Sequence, residues 1–217
     1  ANPCSHGTNK LVKSGRFAIR KFGCDMLILD DGFQYQRLKH RHEVVLVDRT
    51  NPFGNGHMLP RGILREPARN IKRADFLFIT KSDGETGKLR AELRALNSAA
   101  EIIECRHQPR YFKDAFGGER LELAALQGLP VVVLSGIAAP FSFETSVRAM
   151  GARVLACERF TDHHRYTQQE ILDAINHADE LGARAIVTTE KDAVRLPRLD
   201  NPQVPVYYLR MEIQILE

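Results

Sequence analysis

The stretch "MLILDDGFQ" sets an apolar run, Met26–Leu29, directly before two adjacent aspartates and a glycine. Four apolar residues in succession fit a strand buried on both faces. Asp30 and Asp31 would then stand where that strand leaves the sheet, and ligands of open α/β sheets gather at the carboxyl ends of strands. Neighbouring carboxylates repel each other, so the pair calls for a metal ion, a basic partner or a proton. An Asp-Gly turn that merely ends the strand fits the same residues.

A second dense signal follows at "NPFGNGHMLPRGILREP", Asn51–Pro67, which holds three glycines, three prolines, two arginines and one glutamate. Long irregular segments inside compact domains are uncommon and usually functional. Glycines allow backbone N–H groups to approach an anion, and Arg61 and Arg65 can fork onto phosphate oxygens. Glu66 is within reach of a metal placed near Asp30 and Asp31. The plain alternative is a proline-stiffened surface loop with a weak ion pair.

Further along, "ERFTDHHRYT" sets Asp162 beside His163 and His164, a combination suited to metal ligation or acid–base work, although a polar surface loop fits the same residues. Zinc fits poorly, because the cysteines lack ligand spacing and adjacent histidines diverge. In "AIVTTEKDAVRL", Thr189 is a natural N-cap, with Asp192 three residues on. Capping does not account for Lys191, which is unfavourable at a positive helix start and is therefore a candidate anion ligand. No G-x-x-x-x-G-K-[ST] phosphate cradle occurs in the 217 residues.

The elements that must position these residues alternate along the chain. Strands are expected at Met26–Leu29, Val44–Val47, Phe76–Ile79, Val131–Leu134, Ala185–Thr188 and Val204–Leu209. Helical periodicity covers Lys88–Asn97, Phe141–Met150 and Gln168–Leu181, the last two stopped by Gly151 and Gly182. The alternation predicts a mostly parallel, layered α/β sheet. The C-terminal "VPVYYLRMEIQILE" alternates in part and is expected at a sheet edge. Residues 108–130 read as loop-rich, which fits either a boundary between a domain over 1–125 and a lobe over 126–217 or an elaboration within one domain.

Composition narrows the class. The chain is 43% hydrophobic and 27% charged, ordinary for a folded globular protein. No apolar stretch approaches the roughly 18 residues of a membrane span. Cys4, Cys24, Cys105 and Cys157 form no C-x-x-C pair, so reduced cysteines are expected. Residues 1–73 carry 14 Lys and Arg against 6 Asp and Glu, although the whole chain is only +4. A basic first third favours an anionic partner such as phosphates or an acidic membrane surface. Nucleic acid is not expected, since the basic region lacks interleaved aromatics and a reader motif. A basic helix-like segment precedes the first strand, and the sequence has no initiator methionine, so a fragment is expected.

Taken in order, "DDGFQ", "NPFGNGHMLPRGILREP", "GIAAPFSF", "FTDHHRY" and "VTTEKDAVRL" resemble the tetraacyldisaccharide 4′-kinase family. The resemblance runs from about Lys21 to Leu216. It implies a P-loop NTPase-like α/β core with a smaller C-terminal α/β lobe. It also implies transfer of phosphate from ATP to the 4′-hydroxyl of a lipid A disaccharide precursor. On this resemblance Asp30 and Asp31 are catalytic acids of a Walker-B-like strand, and they hold Mg²⁺ together with Glu66. Gln34 belongs to the same nucleotide site, and His163 supports the catalytic base. Arg61, Arg65 and Lys191 remain candidates for substrate or anion binding. A peripheral place on the cytoplasmic face of the inner membrane is implied.

Three family features have no counterpart in these residues: a membrane-anchoring helix, the P-loop with its Lys and Ser/Thr, and the segment supplying the base. Tyr35 stands where the family commonly has histidine. The isolated chain is accordingly expected to be inactive. The rival expectation is a non-catalytic remnant that binds anions or lipid.

Overall fold

A computed structural model describes residues 5–216, with side chains from residue 11 onward; Cys4 lies outside them. Two compact units are present. The first runs to Arg106 and takes in the last residues from Ile215; the second is His107–Gln214. The division between Arg106 and His107 falls inside one long strand.

The first unit contains α1 (Ser5–Phe22), β1 (Val44–Asp48), β2 (Phe76–Thr80), α2 (Gly87–Leu96) and the opening half of β3 (Glu101–Asp114). The strands β1, β2 and β3 pair in parallel, with Val44 opposite Phe76 and Phe76 opposite Glu101. Their inward side chains Val47, Leu77, Ile79 and Ile102 form one core with Leu89 and Leu93 of α2. The four-residue spacing of those leucines puts both on one helix face. Buried Asn97 then fixes the turn into β3. Its amide donates to the carbonyls of Ile71 and Ala74 at 3.0 and 2.9 Å, and its carbonyl oxygen accepts from the Ala99 and Ala100 amides.

Met26–Leu29, expected as a buried strand, is not one. It is irregular, all four side chains are exposed, and Ile28 is 93% exposed. An apolar run states a need for burial, and among the described residues no strand pairs with this one. Asp30 and Asp31 accordingly lie in a turn, with φ of +53° at Asp31.

The second unit continues β3 and adds β4 (Arg120–Glu122), β5 (Pro130–Ser135), α3 (Pro140–Ala149), β6 (Arg153–Arg159), α4 (Gln168–Glu180), β7 (Ala185–Thr189), α5 (Glu190–Ala193) and β8 (Val206–Leu216). β4 folds back antiparallel onto β3. β5 pairs in parallel with β6 on one side and β7 on the other, and β7 pairs in parallel with β8. The sheet path runs β3-β8-β7-β5-β6, so β8 lies inside the sheet and not at its edge. Alternate residues of β5 serve opposite faces, as the period of two requires. Val132 and Leu134 join Ile171 and Ile175 of α4, whereas Val131 and Val133 join Val147 of α3 and Phe112 of β3. Full burial of each isoleucine of α4 contributes about 2 kcal/mol.

The start and end of α4 are both set by local chemistry. Thr167 and Glu170 form a reciprocal capping box, and Gly182 beyond the last turn adopts φ of +70°. The strands β3 and β6 were not foreseen from the sequence. Cys24, Cys105 and Cys157 are free thiols, and burial pushes the Cys105 thiol upward.

Candidate active site

The expected site residues divide between the units, with Asp30, Asp31, Gln34, Arg61, Arg65 and Glu66 in the first and His163 and Lys191 in the second. In the first unit, the turn that carries the aspartates is tied to the long loop by one contact and to the 3₁₀ turn after it by another. Arg65 donates to Asp31 Oδ2 at 2.6 Å. Arg73, in the 3₁₀ turn Ala68–Arg73, stacks its guanidinium 4.3 Å over the Phe33 ring and donates to the Phe33 carbonyl at 3.2 Å. Of the three compensations open to the aspartate pair, the structure therefore supplies Asp31 with a basic partner. Both members of that pair are more than half exposed, so its contribution to stability is small.

Glu66 is better shielded. It accepts from Arg73 at 2.8 Å and from Asn70 Nδ2 at 2.7 Å. Burial alone would raise its pKa, but these donors outweigh burial and hold the carboxyl below its ordinary value. Neither Arg73 nor Asn70 was singled out in the sequence. The signal available was their spacing from Glu66 along "REPARNIKR", which brings both donors back onto that carboxylate through the 3₁₀ turn. Asn55 braces the loop by donating to the Arg61 carbonyl at 2.9 Å; the Arg61 side chain is exposed. Gln34 is exposed in the turn after Phe33.

The expected trio for magnesium is not assembled. Among the described residues no group of three His, Cys, Asp or Glu side chains stands close enough to hold a metal ion. Asp31 and Glu66 each commit an oxygen to an arginine. The physical reason is the missing strand at Met26–Leu29, which was to carry the aspartates to a sheet edge. Carboxylates are the right donors for a hard cation, yet this arrangement does not fit one.

In the second unit the two histidines part company, as neighbours on a chain must. His164 packs against Phe160 and Tyr166, at 4.8 and 5.0 Å between ring centroids, and its Nε2 lies 3.1 Å from Glu170. It is structural. His163 is exposed over 76% of its side chain and sits at φ of +62°, a sparsely populated region for a side chain other than glycine. Its Nδ1 is 2.9 Å from the Arg195 guanidinium, and its Nε2 is 3.7 Å from Asp162. Thr189 caps the short α5 as expected, accepting from the Asp192 amide at 3.1 Å; Lys191 is exposed on that turn.

The family model described as tetraacyldisaccharide-1-P 4′-kinase matches residues 8–217. A tetraacyldisaccharide 4′-kinase from Anaeromyxobacter sp. (strain K) is 42% identical over 184 residues, covering 83% of this chain and 49% of its own length. The protein of that name from Syntrophus aciditrophicus is 35% identical over 223 residues, covering 98% of this chain and 59% of its own. The chain thus spans about half the length of the curated relatives it matches. A crystal structure of LpxK from Aquifex aeolicus in complex with ATP aligns with a TM-score of 0.67 and 23% identity, over 94% of this chain and 58% of that one. That likeness bears on the fold, an α/β arrangement with a mostly parallel sheet.

Proposed function

Because the chain belongs to the tetraacyldisaccharide-1-P 4′-kinase family, we propose that it forms part of an enzyme acting on the lipid A precursor. This enzyme transfers the γ-phosphate of ATP to the 4′-hydroxyl of a tetraacyl glucosamine disaccharide 1-phosphate. The observation that carries the reading is the join between "DDGFQ" and "LPRGILREP" through Asp31 and Arg65. Two motifs more than thirty residues apart meet there, one bringing carboxylates and the other arginines, which can fork onto phosphate oxygens.

Phosphoryl transfer demands positioning and charge neutralisation more than covalent chemistry from the protein. Arg65 and Arg61 are suited to draw an anionic group to the loop, and an incoming phosphate would compete with Asp31 for the Arg65 fork. His163 is suited to hold or pass a proton at its exposed Nε2 while a base acts on the acceptor hydroxyl. Lys191 presents a further cation. Asp30, Asp31, Gln34 and Glu66 are proposed for the nucleotide side. Magnesium would supply charge neutralisation at the phosphates, but Asp31 and Glu66 are engaged by arginines here and do not form a fitting site. Among the described residues no helix is long and apolar enough to cross a membrane. The basic first third supports a peripheral position at an anionic surface; the cytoplasmic side of the inner membrane is proposed from the family alone.

A second reading, an anion- or lipid-binding protein without catalysis, is supported by the excess of basic residues over residues 1–73. The test joins the chain behind the N-terminal part of a matched relative and follows transfer of labelled phosphate from ATP to the disaccharide. Turnover is expected in the fusion, and none in the 217-residue chain alone. In the fusion, His163→Ala lowers kcat by roughly 10²–10⁴-fold with little change in the KM for ATP. An inactive fusion, alongside an active one built wholly from the relative, overturns the kinase reading.

A further inference from the structure

The "TTEKDAVRL" segment has a buried group that the proposed chemistry does not use. Asp192 is fully buried, an unusual position for a carboxyl group. One of its oxygens, Oδ2, accepts from the Gly136 amide at 3.1 Å and from the Thr189 hydroxyl at 2.7 Å. The other, Oδ1, lies 3.7 Å from the Arg195 guanidinium and has no hydrogen-bond partner among the described residues. Tyr166 Oη is close by and likewise buried, and burial together with the Asp192 carboxyl pushes its phenol well above the ordinary value.

Two routes lead from this carboxyl to one exposed side chain. Gly136, held by Asp192 through its amide, accepts at its carbonyl from the His163 amide at 3.1 Å. Arg195, drawn toward Asp192 by charge and by its own amide bonded to the Asp192 carbonyl at 2.8 Å, reaches His163 Nδ1 at 2.9 Å. The first route fixes the backbone of His163 in its left-handed conformation. The second fixes the ring. A conformation that costs of order 1–3 kcal/mol persists where surrounding contacts over-determine it, and here they do.

The second route also decides a protonation pattern. A guanidinium has donors and no acceptor, so the nitrogen it meets must accept. We propose that Asp192 and Arg195 are positioning residues that set His163 in the tautomer with its proton on Nε2, a hydrogen-bond donor on the side of the Asp162 carboxylate 3.7 Å away. A histidine in the other tautomer would present an acceptor to the same space, which is a different tool. The catalytic consequence rests on the reading of His163 given above; the tautomer does not.

The test is ring-nitrogen NMR on the 217-residue chain labelled at histidine. Spectra are taken about two units above the ordinary imidazole pKa of roughly 6.5, so that the rings are neutral. His163→Gln identifies the signals. Wild type is expected to show an unprotonated Nδ1 and a protonated Nε2 at His163. R195M is expected to move these signals toward a tautomer mixture, R195K to restore them in part, and His164 to remain unchanged in both. A wild-type ring protonated on Nδ1 overturns the proposal whatever the Arg195 variants show. An R195M spectrum identical to wild type overturns it as well. In the active fusion, R195M is expected to lower kcat by roughly tenfold or more, within what one acid–base group is worth, leaving KM for ATP unchanged. A shifted tautomer with undiminished kcat upholds the positioning and removes the catalytic reading of His163 instead.

Discussion

Two apolar runs of similar composition end differently. Val131–Leu134 in the second unit is buried to 1% exposure or less, while Met26–Leu29 in the first leaves every side chain exposed. The difference is pairing. β5 has β6 and β7 hydrogen-bonded on either side, and helices cover both its faces. The earlier run has no paired strand among the described residues. Hydrophobicity is therefore a property of the run, and burial a property of what stands next to it. β1 lies between these cases: Val45 and Val47 pack inward, whereas Val44 and Leu46 on its other face are exposed.

The contrast can be broken by substitution. Leu134→Ala removes side-chain volume from the packed face of β5 and is expected to cost about 2–5 kcal/mol, measured by urea unfolding. A smaller loss, about 1–3 kcal/mol, is expected for Gly136→Ala. The added methyl would meet Tyr166 Oη at 2.7 Å and both Asp192 Oδ1 and the Thr161 carbonyl at 3.2 Å. An unchanged midpoint in Gly136→Ala would show that the junction of these motifs is loose.

The first unit offers an electrostatic counterpart. Burial of Glu104 opposes its ionisation, but donors on Thr86, Ser82 and Arg90 outweigh this and hold its pKa below the ordinary value. A depressed folded pKa gives stability that is complete above the unfolded value, roughly 4.3. That stability is lost as pH falls through the folded value. Glu104→Gln is expected to cost about 1–2 kcal/mol near neutrality and to flatten the acid limb of a stability–pH profile. A limb of unchanged slope would place the acid sensitivity elsewhere. The smallest effect belongs to Ile28→Ser, expected within about 0.5 kcal/mol of wild type. A loss there comparable to that of Leu134→Ala would mean that the run is covered in solution and would dissolve the comparison.

Legibility followed the same division. β5, β7, α2, α3 and α4 were readable to within a residue or two, because an apolar period, a cap or a stop glycine marked each. β3 was hidden: "EIIECRHQPRYFKD" carries charges and a proline, and half of it read as loop. β8 was recognised as a strand but misplaced, since alternation records faces and not neighbours. In the candidate site, Thr189 was legible as a cap and His163 and His164 as divergent neighbours. Local spacing could not show that Arg65 meets Asp31, nor that Asp192 lies beneath His163. Those pairings join residues far apart in the chain.

The bond from Asp192 to the Gly136 amide spans 56 residues, and that from Arg195 to His163 spans 32. No local segment can form either, so both are absent until β5, β7 and the chain leading into α4 have come together. Small local fluctuations that expose single amides elsewhere leave these bonds standing, whereas lifting α5 from the sheet breaks both at once. The Gly136 amide should therefore exchange its hydrogen with solvent only through that larger opening, and the geometry of His163 is lost in the same event. The backbone geometry of His163 is thereby tied to the docking of α5 on the sheet.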